Sequence, residues 1–252
     1  MEGIIPTTAQ VRERIDRCGD EDFRAALRAA FLMCARVSEV VGKTNLSDGY
    51  EARGPVPSDA FDTFYEAPNI YDQTPRREKA LVIKVRTAKR EGMLRMVGLP
   101  ADYDPWVRET ASYFWSRPEG ERVFPFSRQD LGDYARSNNV FEGLLWTVRK
   151  YQIVLERAKR DQQGRIIEEP KVKAVSEHPK PFTLHSLRDA RATQLLLENS
   201  FEGVDLAIHG GWAINRAETG VSAVMSRYLD IYKEWKRPFR KLLPSSSTIG
   251  KA

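Results

Sequence analysis

Between Asp22 and Val41 the apolar residues recur at steps of three and four: Phe23, Ala26, Leu27, Ala30, Phe31, Cys34, Val37 and Val41. That period predicts one amphipathic helix, with Asp20 or Asp22 able to cap its start and Gly42 after its end. Ala80 to Arg86 (ALVIKVR) and Leu94 to Leu99 (LRMVGL) are short runs rich in β-branched and large apolar residues, joined through Thr87 to Gly92. They predict a β-hairpin. Pro105 to Trp115 and Thr183 to Asn199 predict helices, the latter with Thr183 or Ser186 as its cap. Ser222 to Trp235 predicts another, its stripe formed by Val221, Val224, Met225, Tyr228, Tyr232 and Trp235. One or two helices are expected within Asn138 to Arg160. Gly49 to Pro75 reads as an irregular loop or insertion, Gln162 to Pro181 as a charged loop, and Pro244 to Ala252 as a frayed tail. The expected fold class is mainly α with a small antiparallel β-sheet (α+β), with no visible repeat and no clear domain boundary.

Composition narrows the possibilities. A chain of 252 residues can bury a core without help from disulfides or metals. The two cysteines, Cys18 and Cys34, form no CxxC pair, and there are three histidines, His178, His185 and His209. Neither a disulfide framework nor a Cys/His zinc cluster follows from such a set, and a reducing cytoplasm is the expected compartment. The N-terminus has no apolar core of a secretory signal. The longest apolar stretch, Ala25 to Ala35, is interrupted by Arg28 and is far too short to span a bilayer. No GxxxxGK[ST] is present, so no P-loop is expected.

Charge is more informative by position than in total. Lys plus Arg number 40 and Asp plus Glu 35, an excess of only +5. From Arg76 to Arg95, however, eight basic residues stand against two acidic ones, a net of +6. Arg149 to Lys173 carries eight against four, a net of +4. Such runs are usually solvated faces, but two in one chain favour phosphate contact.

Four short segments stand out together. Arg36-Val37-Ser38-Glu39 places Arg36 and Glu39 three residues apart, on one face of a helix. His185-Ser186-Leu187-Arg188 has the same spacing near a helix start. Gly210-Gly211-Trp212 joins a flexible pair to an indole, and Arg227-Tyr228 lies on the last predicted helix. Taken singly, each has an ordinary reading: a surface ion pair, chance, a turn with a core tryptophan, a core tyrosine.

In this order, with a lysine on the basic hairpin turn, the set resembles the catalytic domain of the tyrosine site-specific recombinases, the phage-integrase family. The resemblance runs from about Asp22 to Trp235. It implies that Arg36 and Arg188 bind the scissile phosphate, with Glu39 supporting Arg36. It implies that Lys89 is the hairpin lysine, with Lys84 and Arg90 as alternatives on or beside the turn. His185 matches the histidine of the His-x-x-Arg motif, and Trp212 the position that holds His or Trp. Tyr228 matches the nucleophile. The stretch from Ala213 to Val221 lengthens the gap before Tyr228 relative to the family pattern, which leaves Tyr232, one turn on, as the alternative. Arg86, Arg90 and Arg95 are expected to contact DNA.

The implied activity is recombination or integration of DNA through a 3′-phosphotyrosyl intermediate, without metal, ATP or other cofactor. The implied partners are double-stranded DNA at a specific site and three further copies of the chain, a homotetramer passing through a Holliday junction, with no membrane. The cytoplasm or nucleoid of the host follows, or the nucleus if the host is eukaryotic. A type IB topoisomerase-like relaxing enzyme shares this chemistry, and a non-catalytic DNA-binding protein is the alternative of a different class. Expected domains are a lead segment (1–21), the catalytic domain (22–236) and a basic, partly flexible tail (237–252), with no separate N-terminal core-binding domain. Lys233 to Leu243 (KEWKRPFRKLL) is expected, by resemblance, to dock on a neighbouring protomer.

Overall fold

The periodic helix expected from Asp22 to Val41 is two helices, and the break between them sets up the rest of the molecule. The computed structural model describes residues 6–42, 54–68, 75–86, 94–146, 153–156, 159–161, 163, 165–169, 171–173, 180–211 and 235–244. Helix α1 (Thr8–Asp16) precedes α2 (Glu21–Leu32), whose first turn is capped by the Asp20 carboxylate accepting from Phe23 N at 3.1 Å. α2 stops at Met33. Cys34 adopts the left-handed region (φ 48°), Cys34 N donates to Phe31 O, and Ala35 N donates to Ala30 O. These two bonds close a Schellman motif, normally built on glycine. A side chain at that φ costs about 1–2 kcal/mol, so the surrounding packing must hold Cys34 there. A new helical turn, α3 (Val37–Val40), then begins with Arg36 in extended backbone.

Within the segment read as a lead, α1 packs into the main core. Val11 and Ile15 of α1 are buried in the main core with Leu27 and Phe31 of α2.

The sheet has three strands, not two. β1 (Ala60–Pro68), in the stretch expected to be irregular, pairs antiparallel with β2 (Pro75–Arg86), which pairs antiparallel with β3 (Leu94–Pro100). The alternation of β2 and β3 assigns the two faces. Leu81, Ile83, Val85, Val97 and Leu99 face the helices in the main core. Ala80 and Val82 face the other way, in a second cluster with Tyr65, Trp235 and Phe239.

Helix α4 (Pro105–Trp115) forms where expected, capped by Asp104 and begun by Pro105, whose missing N–H is no loss at that position. Helix α5 (Arg128–Ser137), capped by Ser127, comes next. The helices expected in Asn138 to Arg160 do not form in its described part. Asn139 (φ 48°) and Gly143 (φ 76°) turn the chain left-handed twice in five residues, and the described chain beyond them is extended. Short strands β4 (Leu145–Trp146), β5 (Ile153–Glu156), β6 (Lys159–Arg160), β7 (Ile166–Glu168), β8 (Lys171–Lys173) and β9 (Lys180–Pro181) pair as β4–β9, β5–β8 and β6–β7. The segment expected as a charged loop therefore holds three of these strands.

Helix α6 (Leu184–Glu198) starts at Thr183, and α7 (Gly203–Gly210) ends at Gly211, whose φ of 74° suits glycine. The last described helix, α8 (Lys236–Leu242), lies in the segment read as a basic tail and as a dock for a neighbour, and it packs on its own chain. Phe239 is buried against the chain's own Tyr65 and Trp235. The Trp235 indole lies over Gly98 of β3, where a Cβ would come within 2.3 Å of Cε3. Arg237 and Lys241 pair at 2.8 Å with the two oxygens of the buried Asp205 carboxylate on α7. The predicted helix Ser222 to Trp235 lies outside the described residues, Trp235 excepted. Among the described residues, no helix is long and apolar enough to cross a membrane.

Candidate functional site

Arg36 owes its position to the break after α2. Had the helix run on, its side chain would have stood on a helix surface; instead it caps α3 from a turn and remains 29% exposed. Arg36 Nη1 donates to Glu39 Oε1 at 2.8 Å, and Arg36 N donates to Glu39 Oε2 at 3.0 Å. Glu39 thus fixes both the guanidinium and the backbone of the residue three positions before it.

His185 and Arg188 occupy the start of α6. Ser186 Oγ accepts from Thr183 N at 3.3 Å, which sets the rotation of the first turn. His185 is exposed, whereas Arg188 is buried, its Nη2 donating to Gly210 O at 2.8 Å. The carbonyl of Arg188 accepts a hydrogen bond from the Cys34 thiol at 3.5 Å, so the turn that carries Arg36 rests on the helix that carries Arg188. Three residues on, Arg191 faces the interior, its guanidinium 4.7 Å from the Phe31 ring centroid.

These groups line one cleft of about 980 Å³. One wall carries Arg36 and Ser38 and another His185, Arg188 and Asp189. α5 supplies Arg128, Gly132 and Arg136, one helical face at four-residue steps, with Gln129 beside them. Four arginines and a histidine stand against two lining carboxylates, Glu142 and Asp189. Burial, followed by the charge of Arg36, lowers the Arg188 pKa to about 10, while Glu39 acts in the opposite direction. Arg188 therefore remains cationic at neutral pH, and two like charges share a partly desolvated space. An anion with several oxygens relieves that repulsion and can take planar guanidinium forks from two directions. The lining offers an oxyanion more cationic than anionic side chains.

Of the residues expected from the sequence, Arg36, Glu39, His185 and Arg188 come together here. Lys89, Arg90, Trp212, Tyr228 and Tyr232 lie outside the described residues. Arg86 stands apart from the cleft lining and gives its guanidinium to Asp59, Nη1 to Oδ2 at 2.5 Å. Arg95 is a correction. It is 0% exposed and cannot meet DNA directly. The period-two pattern already held the reason, since Arg95 shares its parity with Val97 and Leu99, the inward face of β3.

Two features lay outside the sequence reading. The basic face of α5 could have been found from Arg128, Gly132 and Arg136 recurring every fourth residue. His209 had no such signal. It is fully buried, its Nε2–H donates to Leu32 O at 3.0 Å, and its ring packs edge-on to Phe201. Burial, reinforced by the charge of Arg95, pushes its pKa down to about 3, so the imidazole is neutral. No family model, no curated protein and no solved structure matches the chain.

Proposed function

We propose that the chain is a DNA strand transferase, a site-specific recombinase that breaks and rejoins DNA through a tyrosine. The observation that carries this reading is the convergence of Arg36, His185 and Arg188, from distant parts of the chain, on one basic cleft. The order of these residues matches the resemblance in the sequence, and their shared cleft is what phosphodiester chemistry requires.

In the proposed reaction the phenolate oxygen of Tyr228 attacks phosphorus, a phosphorus–oxygen bond to tyrosine forms, and the bond to the 5′-oxygen breaks. The energy of the phosphodiester is retained in the new ester, so no external energy source is consumed. Arg36 and Arg188 hold the non-bridging oxygens, whose charge grows in the transition state; losing one such donor typically costs about 10²–10³ in rate. His185, lining the cleft, takes the tyrosine proton or braces the phosphate, and Lys89 protonates the leaving 5′-oxygen. Attack by a 5′-hydroxyl from another strand reverses the sequence of bonds and completes the exchange.

The test is an adduct assay with nicked duplexes cut from the DNA that flanks the coding sequence. A detergent-stable protein–DNA adduct is expected, with Tyr228 in the linked peptide by mass spectrometry, and Tyr228→Phe is expected to abolish it. Loss in Tyr232→Phe but not in Tyr228→Phe would transfer the nucleophile to Tyr232. Salt-sensitive binding by the wild-type chain with no adduct would overturn the catalytic reading in favour of binding alone. Relaxation of supercoiled plasmid without site preference would favour a topoisomerase.

A further inference from the structure

The Glu39 carboxylate is fully buried and is shared by two guanidiniums. Arg36 takes Oε1 through Nη1 at 2.8 Å and Oε2 through its backbone N–H at 3.0 Å. Arg95 Nη2 donates to Oε2 at 3.2 Å from the other side. Arg95 is itself held fast: Nη1 donates to Met33 O at 3.2 Å and to His209 O. Those carbonyls lie at the C-terminal ends of α2 and α7, where helix dipoles favour a cation. A residue on β3 thereby reaches past two helix ends to the carboxylate that orients Arg36.

We propose that Arg95 is a positioning residue for Arg36, acting through Glu39. The geometry has two effects. Glu39 cannot rotate, because its second oxygen is pinned from behind, so the fork it offers Arg36 has one direction. In addition, the single charge of Glu39 is divided between the guanidiniums of Arg36 and Arg95, so these three side chains together keep a net charge of +1 and Arg36 is oriented without being neutralised. A ligand phosphate in the cleft then meets a guanidinium with its charge still available. A lysine at position 95 would keep the buried charge but lose the planar fork that joins three acceptors at separate sites. The catalytic consequence rests on the strand-transfer reading; the restraint on Arg36 does not.

The experiment compares wild type, Arg95→Lys, Arg36→Ala and the double variant on the same nicked duplexes. Arg95→Lys is expected to fold, to bind duplex within about threefold of wild type, and to form adduct about 10–100-fold more slowly, the scale of a misplaced reacting group. In the Arg36→Ala background the same change is expected to cost nothing further, because no group remains to be positioned. A structural role alone predicts equal losses in both backgrounds, which would overturn the proposal, as would a wild-type rate in Arg95→Lys. A DNA-free measurement separates this from the strand-transfer reading. In ¹⁵N-arginine spectra the Arg36 Nη resonances are expected to be split by hindered rotation in wild type and merged in Arg95→Lys. Unchanged splitting would sink the proposal even if adducts form. Absence of any wild-type adduct would sink the recombinase reading and leave the spectra to decide the role of Arg95. If Arg95→Lys does not fold, Arg95→Gln, which retains a planar donor, takes its place in each comparison.

Discussion

The thiol of Cys34 donates to the main-chain carbonyl of Arg188 at 3.5 Å, joining the left-handed residue that ends α2 to the helix that carries the second arginine of the cleft. Burial pushes the Cys34 thiol up from 9.0 to about 11, and the Cys18 thiol likewise. Unfolded thiols ionise near pH 9, folded ones near 11. Their contribution to stability is therefore complete below pH 9 and is lost as pH rises through 11. At about pH 8, below the ordinary thiol pKa, iodoacetamide is expected to leave both cysteines unmodified in the folded chain and to alkylate both in urea, as read by intact mass. Rapid native alkylation of Cys34 would contradict its burial.

His209 makes the acid limb of stability steeper. An unfolded histidine takes up a proton near pH 6.5, whereas this one stays neutral until about pH 3. Stability is present above pH 6.5 and is lost as pH falls toward 3, with a slope approaching about 1.4 kcal/mol per pH unit. His209→Gln retains a donor for Leu32 O but cannot be protonated. Its urea midpoint is expected to be less sensitive between about pH 6 and 4 than that of wild type.

Gly98→Ala is expected to unseat Trp235, because the added Cβ falls 2.3 Å from Cε3 of the indole. Overpacking of this kind costs about 1–3 kcal/mol. A red-shifted tryptophan emission and faster tryptic cleavage at Lys236 and Arg240 are the expected readouts. Unchanged cleavage would mean that α8 does not depend on this contact.

Arg128→Ala and Arg136→Ala test the α5 wall of the cleft. If each guanidinium meets a DNA phosphate, each change weakens duplex binding and makes the plot of log affinity against log salt shallower by about one. Arg136 also pairs with Asp133, a highly exposed contact that contributes little to stability, so its removal should leave the thermal midpoint nearly unchanged.

The chain's legibility ends where its local signals end. α4 and the start of α6 were readable because Pro105 and Thr183 mark them chemically. That Arg36, His185 and Arg188 belong together was suggested by the spacing of RVSE and LHSLR, and the three line one cleft. The break at Cys34 was not readable, since the Schellman turn lacks its usual glycine and the apolar period runs straight through it. β1 was hidden for a different reason. AFDTFYEAP alternates poorly, and its strand character comes from pairing with β2, a tertiary effect that no local window contains. Arg95 was misread because a run of charge outweighed the alternation in which it sits.

Strand β3 turns Arg95 toward Glu39 on one side and Gly98 beneath Trp235 on the other. Sliding it by a single residue against β2 would reverse both faces. A guanidinium would then be driven toward an indole seat, and Glu39 would lose a cation to an apolar neighbour. Either error alone is disfavoured; together they leave the hairpin a single admissible alignment. The same seven residues that brace the cleft also proofread their own pairing.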